Sequence, residues 1–334
     1  MLTLTRIAIV LAFVVVILGA YTRVSDAGLG CPDWPGCYGQ VVVPDAQGDI
    51  DQSNNVYASR PLERSKAWKE MIHRYAAGTL GLLILAIAVL SWKNRSQPGQ
   101  QVVIPLILVA LVIFQALLGM WTVTMLLKPI VVMGHLLGGM SILALLTWVY
   151  MKTKYGRAAM GASNSPLWPW ALVALCVVVV QISLGGWTSA NYAALICPDF
   201  PLCRGHWWPP MDFAGGFNPW HGHGINYEYG VLGAPSRTAI HMSHRMWAVV
   251  TVLYVGFTAI RAIRNRGVRI KRAGIILLLV LIVQFSLGVA NILLRLPVPV
   301  AVGHNGVAAL LLLSTLALMF HTRYSTGQAG EIVD

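Results

Sequence analysis

Eight stretches of about 20 predominantly apolar residues recur along the 334-residue chain, and each could cross a bilayer as an α-helix. They fall at 5–23, 71–92, 103–125, 130–151, 168–188, 239–262, 273–294 and 299–320. Inside a bilayer the backbone polar groups of a span must be satisfied within it, so the pattern predicts an all-α integral membrane protein. Charge agrees: 11% of residues are charged, against about 25% in a soluble domain. The number of apolar runs excludes a soluble enzyme with a large core. The first run could be mistaken for a cleaved leader. It lacks a small-x-small cleavage site and its end, Gly19-Ala20-Tyr21-Thr22, is matched later in the chain, so it is read as a helix.

Positive charge sets the expected orientation. Lys93 and Arg95 follow the second span, and Lys152, Lys154 and Arg157 follow the fourth. Arg261, Arg264, Arg266, Arg269, Lys271 and Arg272 follow the sixth, and none of these three connections holds an acid. Ten of the twelve Asp and Glu lie between spans one and two or five and six. Both termini are therefore expected on the cytoplasmic side of a bacterial-type inner membrane, with the long loops facing outward. The net charge of +12 is then a topology signal plus contact with anionic lipid, and calls for no nucleic acid.

The chain also repeats itself. Leu18-Gly19-Ala20-Tyr21-Thr22 matches Leu184-Gly185-Gly186-Trp187-Thr188, and Cys31-Pro32-Asp33-Trp34-Pro35-Gly36-Cys37 matches Cys197-Pro198-Asp199-Phe200-Pro201-Leu202-Cys203, both at an offset of 166. His73-Arg74 matches His244-Arg245 at 171; Gln115 to Gly119 matches Gln284 to Gly288, and Gly134-His135 matches Gly303-His304, both at 169. Five ordered matches at near-constant offset describe a tandem duplication. The expected architecture is eight transmembrane helices as two tandem four-helix bundles, related by a pseudo-two-fold along the membrane normal. The units are 1–151 and 168–334, joined by a cytoplasmic linker at 152–167.

Of nine histidines, the repeat singles out His73, His135, His244 and His304, each near the outer end of an even-numbered span. One intramembrane histidine is usually a helix-packing hydrogen bond; four in a repeated two-plus-two pattern point to ligands. Two histidines on facing helices, with no carboxylate or thiolate matched in both units, suit bis-histidine heme iron better than zinc or a di-iron centre. Gly119, Gly134, Gly138, Gly139, Gly288 and Gly303 would leave room for a porphyrin, although small residues also let membrane helices approach closely. Arg74 and Arg245 could pair with propionates or reach the headgroups. His241 stands where the first unit has Glu70, so the two sites are alike but not the same. His206, His221 and His223 are read as solvated, and His321 as interfacial.

Cys31 and Cys37 lie in the first outer loop, Cys197 and Cys203 in the second. In an oxidising compartment each pair is expected to form a local disulfide, worth about 2 kcal/mol by chain entropy. A redox role for the pairs stays open beside the structural one. Cys176 reads as a small apolar residue in a span. Trp207, Trp208, Trp220, Tyr227 and Tyr229 read as interface anchors or a partner surface.

Gly19-Ala20-Tyr21-Thr22-Arg23, then Ser25 to Pro35, then Glu70-Met71-Ile72-His73-Arg74 with His135, His244 and His304, resemble the heme A synthases of the cysteine-containing bacterial type over nearly the whole chain. The resemblance implies oxidation of the C8 methyl of heme O, through an alcohol, to the formyl of heme A for cytochrome oxidase assembly. It implies a resident heme b held by His244 and His304 in the second half. His73 and His135 would face the substrate heme in the first, with Glu70 as the catalytic acid. Expected partners are heme O, heme O synthase as its source, an electron acceptor and membrane lipid; a homo-oligomer is compatible with the apolar composition. A di-heme b electron carrier, or a heme-binding transporter or chaperone, fits the four histidines too. Neither predicts a glutamate beside only one pair.

Overall fold

The structure, a computed structural model, describes residues 1–155, 164–220, 222 and 224–325. His221, His223 and residues 156–163, half of the expected linker, lie outside the described residues. Among the described residues ten helices form, eight of them long and apolar enough to cross a membrane. These eight are α1 (Leu2–Val24), α3 (Arg64–Lys93), α4 (Val103–Thr124), α5 (Pro129–Tyr155), α6 (Trp168–Ala190), α8 (Ala234–Ile263), α9 (Val268–Leu293) and α10 (Val298–Arg323). The short α2 (Gln47–Val56) and α7 (Phe213–Gly216) lie in the two long loops. No strand occurs among the described residues; two isolated bridges, Cys37 to Gln40 and Cys203 to His206, close the disulfide loops. The protein is thus an all-helical, multi-pass membrane protein.

The helices differ from the apolar windows chiefly at the outer ends of α3 and α8. These begin at Arg64 and Ala234 instead of 71 and 239, because their polar first turns continue helically beyond the apolar stretch. Ala67, Glu70 and Met71 are buried there, and Ala67 and Met71 pack beside Cys31, Cys37 and Tyr38. Glu70 and His241 therefore sit within a helix and beneath a loop. Prolines at the first turns of α6, α8 and α10 suit positions whose N–H has no intrahelical partner anyway.

In the first half α1 packs on α3, α3 on α4, α4 on α5 and α5 back on α1; in the second, α6, α8, α9 and α10 close the same ring. The halves meet where α10 touches α1 and α5, and where α5 touches α6. One hydrophobic cluster, from Ala8 and Leu143 to Val178 and Leu318, runs through both. Local geometry repeats as the sequence does. Asp33 accepts the N–H groups of Tyr38 (2.6 Å) and Gly39 (2.8 Å), and Asp199 accepts those of Arg204 (2.6 Å) and Gly205 (2.8 Å). These bonds, the Gly205 N–H foremost, hold the Asp199 carboxyl below its ordinary value. Burial pushes the Tyr38 phenol up to about 12. Both α4–α5 and α9–α10 turn through two residues at positive φ, Leu126 and Leu127 in one and Arg295 and Leu296 in the other.

Cross-half contacts gather on the loop side. Arg23 donates to the Ser189 carbonyl at 2.5 Å and lies 4.0 Å over the Tyr192 ring. Arg60 pairs with Glu228 at 3.1 Å, and the Tyr227 N–H donates to the Leu126 carbonyl at 3.0 Å. Tyr227 is consequently buried in a cluster with Leu29, Val123 and Leu127, while Trp207, Trp208 and Tyr229 are exposed. Of the five loop aromatics, Tyr227 therefore is no surface residue. Trp220 carries Lys128 3.5 Å above its ring. Cys176 is exposed on the outer face of α6, as a small apolar residue of a span can be.

A Cβ at Gly274 would lie 2.8 Å from the Ala262 Cβ and 2.9 Å from the Ala259 carbonyl and the Ile263 nitrogen, backbone that cannot easily yield. Gly78 faces open space. Gly274→Ala is expected to destabilise the protein by about 1–3 kcal/mol through overpacking at α8–α9. Gly78→Ala should be neutral or gain up to about 1 kcal/mol from helix propensity. Thermal unfolding in detergent distinguishes them; equal shifts would contradict this account of the α8–α9 contact.

Candidate functional site

The four repeat-matched histidines fall into two pairs, one inside each helical ring. His73 on α3 and His135 on α5 face each other with ring centroids 6.4 Å apart and planes at 77°. Two imidazoles on opposite sides of one metal, each bonded at about 2 Å, would have centroids roughly 6 Å apart. His244 on α8 and His304 on α10 take the matching places in the second ring, each against a glycine as His73 and His135 are.

Each imidazole lies on a glycine of a neighbouring helix. A Cβ at Gly19 (α1) would be 3.0 Å from the His73 Cε1, and one at Gly185 (α6) 3.0 Å from the His244 Cε1. Gly119 (α4) and Gly288 (α9) stand in the same relation to His135 and His304, at 3.2 Å each. Any larger residue would push the ring off its seat. Gly119 and Gly288 thus make room for the histidine itself, and a Cβ at Gly138 would collide with the Gln115 amide. Gly19 and Gly185 were not among the glycines singled out from the sequence, although their match in the repeat was the available signal.

The rings are only partly covered by protein. Yet the Nδ1 atoms of His73, His135 and His304 are buried and meet no hydrogen-bond partner among the described residues. With Nδ1 enclosed, Nε2 of His73 and His135 is the nitrogen a heme iron would take, whereas that of His304 faces Gln284. Glutamines attend them. The Gln115 amide donates to the His135 carbonyl at 2.5 Å, Gln284 Nε2 lies 3.3 Å from His304 Nε2, and Gln181 Nε2 lies 3.2 Å from His244 Nδ1. Among the described residues no group of three or more His, Cys, Asp or Glu gathers as a metal cluster, so each pair stands as two imidazoles.

Above each pair sits a disulfide loop. Cys31–Cys37 and Cys197–Cys203 are both formed. Arg74 Nη1 donates to the carbonyls of Asp33 (3.0 Å), Pro35 (3.2 Å) and Gly36 (2.6 Å). Arg245 donates to Leu202 (2.8 Å), Cys197 (3.0 Å) and Asp199 (2.8 Å). The residue beside the first histidine of each pair therefore fastens the loop to the helix, a contact that neither propionate pairing nor reach to headgroups anticipated.

The two sites part at one position. Glu70, buried, accepts the Cys31 N–H at 3.0 Å through Oε2 and is ion-paired with Arg74 through Oε1. His241, equally buried, contacts the Ala193 carbonyl through Nδ1 at 2.9 Å. The first site holds a carboxylate one helical turn from its histidine; the second holds an imidazole there.

Comparison with known proteins agrees over the same length. The family of cytochrome oxidase assembly proteins named COX15-CtaA matches residues 3–316. A heme A synthase of Shewanella oneidensis is 45% identical over 330 residues, covering 98% of each chain. Heme A synthases of Rhizorhabdus wittichii and Caulobacter vibrioides are 27% and 26% identical, covering 92% and 94% of this chain and 89% and 93% of their own. Four seated histidines under two clamped loops accordingly have a family: this chain belongs to the COX15-CtaA cytochrome oxidase assembly proteins.

Proposed function

We infer that the protein is a heme A synthase, an oxidoreductase that converts the C8 methyl of heme O to the formyl of heme A. The family and the 45% identical relative of that name support the activity and favour it over an electron carrier or a heme transporter. The observation that carries the division of labour is the single carboxylate: Glu70 lies one turn from His73, and no acid stands beside His244.

On this reading the chain consists of two units, 1–151 and 168–334, joined through 152–167 and related by a pseudo-two-fold along the membrane normal. Repetition of the glycine seats, the loop clamps and the turns supports that arrangement. The termini and the linker face the cytoplasm of a bacterial inner membrane and the disulfide loops face outward, as the basic short connections favour. Substrate heme O occupies the first unit between His73 and His135, supplied by heme O synthase. His244 and His304 would hold a resident heme b, which would supply one-electron redox chemistry.

Within the first unit His73 and His135 bind and orient the substrate heme, each ring fixed by its glycine. With water as the oxygen donor, conversion of the methyl through the alcohol to the formyl releases four protons and four electrons; Glu70 would accept the protons in turn, and the electrons would leave to an external acceptor. Arg74 and the Cys31 N–H keep that carboxylate placed and, with the loop, shield it from water.

Glu70→Gln keeps the shape and removes the base. It is expected to lower heme A formation by about 100-fold or more, with the heme b absorption intact; undiminished heme A would overturn the assignment. His244→Ala or His304→Ala should remove heme b, whereas His73→Ala should leave it. Pyridine-extract spectra, from cells with and without a source of heme O, report both. Heme b retained by the His244 variant and lost by the His73 variant would reverse the two halves.

A further inference from the structure

At the end of the helix bundle away from the disulfide loops, where the two halves meet, three helices bring basic side chains to one aromatic cluster. Its floor is Trp148, Tyr155, Phe320 and Tyr324; Trp148 lies 5.4 Å from Phe320, and Phe320 lies 4.9 Å from Tyr324, between ring centroids. Lys152, at the end of α5, sits 4.5 Å above the Tyr324 ring. The Tyr155 ring has Lys154 at 5.0 Å, Arg269 of α9 at 5.2 Å and His321 of α10 at 5.6 Å. His321 lies within the fields of both Arg269 and Lys154.

Among the described residues no carboxylate pairs with these charges. Every Asp and Glu among the described residues falls between 26 and 70 or between 199 and 228, in or beside the long loops. Unlike the scattered basic residues that orient any membrane protein, Lys154 and Arg269 come from different halves and converge on one ring. Like charges so placed repel in a medium of reduced dielectric. Cation–π contact offsets only part of that cost. Lys154 and Arg269 are exposed while the aromatic floor is partly or wholly buried, so the cluster presents charge above an apolar base.

We propose that this seam binds the phosphodiester headgroup of an anionic phospholipid. Lys152, Lys154 and Arg269 would meet the phosphate, and the aromatic floor the first carbons of the acyl chains. A basic pocket between transmembrane helices at the bilayer surface is the setting in which such headgroups are held. The bound lipid would bridge α5 of the first half and α9 and α10 of the second, joining the halves at the end opposite Arg23 and Arg60.

The test uses the full chain, delipidated in detergent and titrated with phosphatidylglycerol or phosphatidylcholine under native mass spectrometry. The unchanged protein should retain phosphatidylglycerol and not phosphatidylcholine. Lys152→Gln with Lys154→Gln and Arg269→Gln should weaken phosphatidylglycerol binding by about 100-fold, about fivefold per cation. A comparison triple, Arg261→Gln with Arg264→Gln and Arg266→Gln, removes as much charge elsewhere on the same face and should weaken it far less. Equal loss in both triples would reduce the effect to a general surface field and overturn the site. So would undiminished binding by the first triple, or displacement of the lipid by inorganic phosphate at comparable concentration. The single Lys152→Gln variant, expected at about fivefold, serves if the triple does not fold.

Discussion

The contact of each histidine ring with a bare glycine on the next helix governs the rest of the architecture. It sets how closely α1 approaches α3, and α4 approaches α5, at the depth of the first pair, and it does so again in the second half. The seats bring paired histidines to matching places inside the two rings of helices. In a medium without water a side chain cannot be positioned by solvation, so close packing against backbone does the work.

On that common frame the halves diverge by few substitutions. Glu70 against His241 is the chemical one, and its neighbours differ accordingly. The carboxylate collects the Cys31 N–H and the Arg74 guanidinium, whereas His241 turns to a carbonyl. Arg245, which forms no ion pair among the described residues, donates to the loop carbonyls of Leu202, Cys197 and Asp199. A carboxylate held by an arginine and a backbone N–H is restrained as well as charged. That makes the loop above the first site part of the site.

Much of this was legible in the residues. The spans, the seating of the four histidines on helices and both disulfides follow from apolar length, recurrence and cysteine spacing, all local signals. The long outer starts of α3 and α8 were not, because hydropathy registers lipid contact and those turns bury against a loop. The arginine clamps were invisible for a different reason: their partners are backbone carbonyls some 40 residues distant, and any residue has a carbonyl. Tyr227 looked like its exposed aromatic neighbours since nothing in a loop sequence reveals which ring will lie beneath Leu126 and Leu127.

Arg23 donates to the carbonyl of Ser189, the residue 166 positions on that occupies its own place in the repeat. Serine at 189 leaves the junction to a single guanidinium, which keeps both the carbonyl and the Tyr192 ring. An arginine there would bring a second cation against the first, so the seam accepts the basic residue from one side only.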